Sequence, residues 1–157
     1  MKNPIIAKLL FFSGILILLV LTYYRENLAL QINAYLNGEI FSRAYAYQFS
    51  NYFKTLPKNE LKQWKWMVSI GFALVISVVT LLSLYSWFQS YSYIRFTVVI
   101  YLTVGIIFSL FAVIAYATHS FDEIYLLLRR VLGVIQSPIP LFIFFTLFYY
   151  TEKKMMD

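Results

Sequence analysis

The sequence predicts an all-α integral membrane protein: four transmembrane helices, plus one or two interfacial amphipathic helices in the first loop. Three observations predict it. Hydrophobic residues make up 61% of the 157 positions, against about 45–50% in a soluble globular domain. Charged residues are 13%, roughly half the soluble norm, and the mean hydropathy is +0.71. Four stretches also run free of charge over lengths that suit a bilayer core of ~30 Å, which takes about 20 helical residues. A water-soluble surface cannot be built from this inventory, so a cytosolic enzyme is excluded. The absence of Cys removes disulfides, thiolate metal sites and Cys nucleophiles together. One His excludes a multi-histidine metal site. The chain reads as a single membrane domain, 1–157.

The first span covers residues 4–24. Leu9 to Tyr24 carries no charge, and Lys8 reaches headgroups by snorkelling. A secretory signal would need small residues after the apolar stretch, and this chain has Leu21-Thr22-Tyr23-Tyr24-Arg25. Aromatics there suit an interfacial belt, so an uncleaved anchor is expected. Residues 25–65 form the interfacial loop. Leu28, Ile32, Tyr35 and Leu36 recur at helical spacing, Gly38 interrupts, and Phe41, Tyr45, Phe49, Tyr52 and Phe53 make a second apolar stripe. Such faces suit helices in the headgroup zone or folded back over the bundle. Thr55 to Asn59 is a turn. The remaining spans are 66–88, 96–118 and 131–151, joined by a polar hairpin at Gln89–Tyr93 and a longer one at Thr118–Arg130.

A net charge of +6 and a pI near 9.5 place the basic residues outside the apolar runs, where they flank spans and meet anionic headgroups. Membrane lipids are therefore the expected partners, and nucleic acid is not. With four spans, Lys2, Lys8, Arg95, Lys153 and Lys154 share one side. Arg25, Arg43, Lys54, Lys58, Lys62, Lys65, Arg129 and Arg130 share the other. The larger group nominally marks the cytoplasm. The two lysines ahead of the first span argue the reverse and favour termini inside.

Little in the sequence points to chemistry. His119-Ser120 with Asp122 and Glu123 holds the residue types of a hydrolase, but side chains so close in sequence diverge on a helix or turn. His119 is expected to be dispensable and no catalytic residue is assigned. A metal site there lacks ligands unless Glu26 or Glu39 joins it, so no metal or cofactor is expected. The five Gly are scattered and form no phosphate loop. Ser69, Ser77, Thr80 and Ser83 along the second span read as packing glue beside Gly71 and Gly105. The span centres carry no ionisable group, which argues against ion-coupled transport.

The most distinctive segment is Arg129-Arg130-Val131-Leu132-Gly133-Val134-Ile135-Gln136-Ser137-Pro138-Ile139-Pro140-Leu141. Pro138 and Pro140 free carbonyls near Val134 and Gln136 and predict a kink, tolerated in lipid only when protein groups satisfy it. Arg129, Arg130, Gln136, Pro138 and Pro140 are the candidate partner-binding residues. With Leu132, Leu141 and the closing Phe148-Tyr149-Tyr150, this segment resembles the C-terminal signature of small exosortase-associated membrane proteins of Bacteroidetes, those accompanying exosortases F and X. The likeness covers about 25 residues, with an Arg-Glu pair just after the first span. It implies a non-catalytic accessory subunit of the bacterial inner membrane, since the sorting enzyme itself uses Cys, Arg and His. An exosortase or another polytopic membrane protein would be its partner. Two other readings stand beside it: a subunit of a transporter or polysaccharide-export assembly, and a small membrane enzyme handling lipid-linked phosphate through Arg129, Arg130, Asp122 and Glu123.

Overall fold

The computed structural model describes residues 4–38, 50–117 and 131–156. All regular structure among them is helical: α1 (Pro4–Asn37), α2 (Ser50–Lys54), α3 (Lys58–Phe88), α4 (Tyr91–Ala117) and α5 (Ile139–Met156). Three of these, α1, α3 and α4, are long and apolar enough to cross a membrane. α5 has 18 residues, and Glu152, Lys153 and Lys154 shorten its uncharged part below what a ~30 Å core requires. Residues 131–135 add a helical turn ahead of it.

The largest departure from expectation is α1. Its 34 residues run for about 51 Å, so residues 25–37 continue the first span and do not begin a separate interfacial helix. The Arg25-Glu26 pair is not a helix breaker, and the first breaker is Gly38. There φ is +73° and the amide donates to Tyr35 O at 3.2 Å, ending the helix. α3 likewise begins at Lys58, directly after Pro57, eight residues before the expected span. Arg43 and the aromatics Phe41, Tyr45 and Phe49 lie outside the described residues.

The inward face of α1 carries one stripe along its length. Ala7, Phe11, Gly14, Leu18, Leu21, Arg25, Leu28 and Ile32 alternate spacings of four and three, and all are buried or half-buried. That period of 3.5 seats one helix along another. The other is α3, running antiparallel: Phe11 meets Trp87 at 5.0 Å, Gly14 abuts Ser83, and Ile32 shares a cluster with Leu61. A Cβ on Gly14 would collide with Ser83 Oγ and stand 3.0 Å from its Cβ, so glycine sets how closely the two backbones approach.

Two cores result. The larger joins Phe11, Leu18, Ile76, Leu84, Phe88, Leu141, Phe144 and Phe148. It is knitted by rings: Phe145 sits 4.9 Å from Phe11 and 5.1 Å from Trp87, and Phe148 stacks on Tyr93 at 4.4 Å. In lipid such packing, and not expulsion from water, drives helix association. The smaller core, Ile32, Phe53 and Leu61 with Trp64 and Val68 around it, folds α2 back onto the ends of α1 and α3. α4 turns back on α3 across Gln89-Ser90, with Gln89 left-handed (φ 49°) and its amide on Tyr85 O at 2.9 Å. α5 runs parallel to α3, since Gln136 meets Ser69 at one end and Phe145 meets Trp87 at the other.

Candidate functional site

The described polar groups converge where the last segment breaks. Residues 131–135 are helical, 136–138 form a turn and bend, and α5 starts at Ile139. Pro138 withholds the amide that would bond Val134 O, and Pro140 withholds the one for Gln136 O. Each carbonyl finds another donor. Val134 O accepts from the Ser137 hydroxyl at 2.6 Å and its amide at 3.2 Å. Gln136 O accepts from Arg25 Nη1 at 3.5 Å. The Gln136 side chain, 2% exposed, crosses to α3 and donates from Nε2 to Ser69 O at 2.7 Å. One break in one segment is thereby tied to both α1 and α3.

Arg25 occupies this position because it falls on the inward stripe of α1. Its side chain is 17% exposed and lies 3.9 Å from Glu26, which is 60% exposed. The guanidinium thus sits between a solvent-facing carboxylate and an inward carbonyl. Tyr23 and Tyr24, both exposed, mark the same level as interfacial. Other hydroxyls on the long helices bond back to their own backbone, as Thr22 to Leu18 O, Ser83 to Val79 O and Thr97 to Tyr93 O do. Thr80 differs: it is fully buried and its hydroxyl makes no such back-bond.

Of the five candidate partner-binding residues, three are described. Gln136 and Pro140 are buried and Pro138 is half-buried, all in the joint. Arg129 and Arg130 lie outside the described residues, as do Glu39, His119, Ser120, Asp122 and Glu123. Among the described residues no three or more His, Asp or Glu gather as metal ligands would. Sequence reasoning missed Arg25 as a joint residue and Ser69 as an acceptor. The four-three spacing through Ala7, Phe11, Leu18 and Ile32 carried the signal for Arg25. A backbone carbonyl leaves none.

The long apolar helices and their buried interhelical polar joint define the class: a multi-pass helical membrane protein. Comparison of the chain with protein-family models, curated proteins and solved structures found no match.

Proposed function

We propose that this chain is a four-span subunit of the bacterial inner membrane, accessory to an exosortase-type protein-sorting system and without chemistry of its own. One observation carries the reading. The residues that make the last segment distinctive are fastenings of the protein's own bundle: Gln136, Leu141 and Phe148 are each at most 2% exposed. The proline-freed carbonyls are filled by Ser137 and Arg25. A signature devoted to holding helices together suits a scaffold. Residues 131–135, the break and α5 together supply the length of the fourth span. Recognition of a partner then falls to Arg129 and Arg130, next to this joint in sequence, where a planar guanidinium pairs with a carboxylate in a way Lys reproduces poorly.

The test is co-purification from native membranes. The wild-type chain is expected to bring down an exosortase, and Arg129→Lys with Arg130→Lys to weaken that while expression holds. Unchanged recovery in the double variant would remove the two arginines from recognition. Recovery of a transporter ATPase in place of an exosortase would favour the transporter or export reading.

A further inference from the structure

The first turns of α3 carry Lys58, Lys62 and Lys65 at spacings of four and three. At about 100° per residue the three fall within about 60° of one another, and Glu60 lies on the far side of the helix. Leu61, Trp64 and Val68 point a different way, into the small core with Ile32 and Phe53. Lys58 and Lys62 are exposed, Lys65 is half-buried, and Lys54 is exposed at the end of α2. Directly below the stripe stands Trp66, 45% exposed, followed by Met67 at 61%. Trp66 and Trp87 are separated by 21 positions on one helix, about 31 Å, which matches the hydrocarbon thickness. Trp66 therefore marks one boundary of the apolar layer. Lys65, Lys62 and Lys58 then stand about 1.5, 6 and 12 Å outward from it, so Lys65 and Lys62 fall within a headgroup zone roughly 5–8 Å deep and Lys58 reaches back to it from its outer face.

We propose that this stripe is a binding surface for anionic phospholipid headgroups of the leaflet in which it stands, anchored below by Trp66. The surface is held rigidly, because the same turns of α3 are clamped by the small core. Among the described residues the opposite end of the bundle has no equivalent. There the described basic residues, Lys8, Arg95, Lys153 and Lys154, are dispersed over α1, α4 and α5, with Glu152 among them. An acidic soluble partner would want the cations facing away from the membrane. Lysines set just outward of a boundary tryptophan instead stand at the level of the headgroup phosphates.

The test uses the full chain reconstituted in phosphatidylcholine vesicles carrying a minority of brominated lipid, either phosphatidylglycerol or phosphatidylcholine. Bromine quenches nearby tryptophan, so in a Trp87→Phe background the remaining Trp64 and Trp66 report on the lipid beside the stripe. Quenching is expected to be stronger with brominated phosphatidylglycerol. Lys58→Gln with Lys62→Gln and Lys65→Gln should cut the inferred preference about tenfold, each lysine near the surface being worth roughly fivefold before they overlap. The three Lys→Arg changes should preserve it. Lys8→Gln with Lys153→Gln and Lys154→Gln, at the other end, should leave it unchanged. Raised salt should weaken it with the stripe intact, a readout that needs no lysine variant to fold. Equal quenching by the two brominated lipids, or a loss no greater at the stripe than at the other end, would overturn the proposal and leave an acidic protein partner as the reason for the lysines.

Discussion

Gln136 and Arg25 show how a polar residue persists in a segment that is otherwise apolar. An amide in hydrocarbon costs several kcal/mol when unpaired, yet its measured net worth between membrane helices is only about 0.6–1.7 kcal/mol when paired. The difference lies in the alternative each state offers. Gln136→Leu keeps the volume and removes the donor, while Ser69 O keeps its place in the helix ladder. A loss of about 1 kcal/mol in detergent-titrated unfolding is expected. Gln136→Glu should lose more, because a carboxylate oxygen would face the Ser69 carbonyl where Nε2 now donates at 2.7 Å. The order wild type, Leu, Glu checks the assignment; a silent Leu variant would mean the bond contributes nothing. The sequence flagged Gln136 as needing a partner. It did not identify that partner, because every span offers carbonyls and the choice depends on how α3 and the last segment lie together.

At the scale of elements, α1 and α3 set the bundle, and Gly14 sets their separation. Gly14→Ala is expected to destabilise by roughly 1–3 kcal/mol, the usual cost of overpacking. The new methyl collides with Ser83, whose hydroxyl is fixed on Val79 O at 2.7 Å. Ser83→Gly in the same chain opens that space and should restore most of the loss, so the two changes together should cost less than their sum. A plain sum would show that the collision is relieved elsewhere. The spans of α1, α3 and α4 were legible because a charge-free run of about 20 residues has few other uses. The true length of α1 was not. Reading Arg25-Glu26 as a boundary treated charge as a stop signal, whereas a helix ends only where backbone or capping chemistry ends it. Gly38 supplies that ending and Arg25 does not. The break at Gln136–Pro138 was legible for the same reason in reverse, since two prolines remove two specific donors.

For the whole molecule, the helix directions lead to a definite topology. α1 is antiparallel to α3, α3 to α4, and the last segment runs with α3. With the four crossings proposed above, Asn37 and Ser90 stand on opposite sides of the membrane. The chain has no Cys, so Asn37→Cys and Ser90→Cys can each be labelled alone in intact cells with a membrane-impermeant maleimide. One position is expected to label and the other only after permeabilisation. Labelling of both from the same side would replace four crossings with another arrangement. The packing of α4 was the least legible part. Its first half is fastened through Tyr93, Thr97 and Tyr101. From Gly105 to Ile114 every residue with a described side chain is exposed or half-buried. A uniformly apolar helix gives no hint of which stretch will meet protein and which will meet lipid.

The unbroken run of α1 also has a torsional consequence. One helix carries Phe11 in the large core, Arg25 in the joint and Ile32 in the small core, all on a single line along its inward face. A helix is stiff against twisting, so turning the outer end of α1 by even one residue position, about 100°, would swing Phe11 and Ile32 off α3 and Arg25 off the Gln136 carbonyl together. The three are phase-locked. A torque applied at Ile32 would be felt at Phe11, about 31 Å away along the axis.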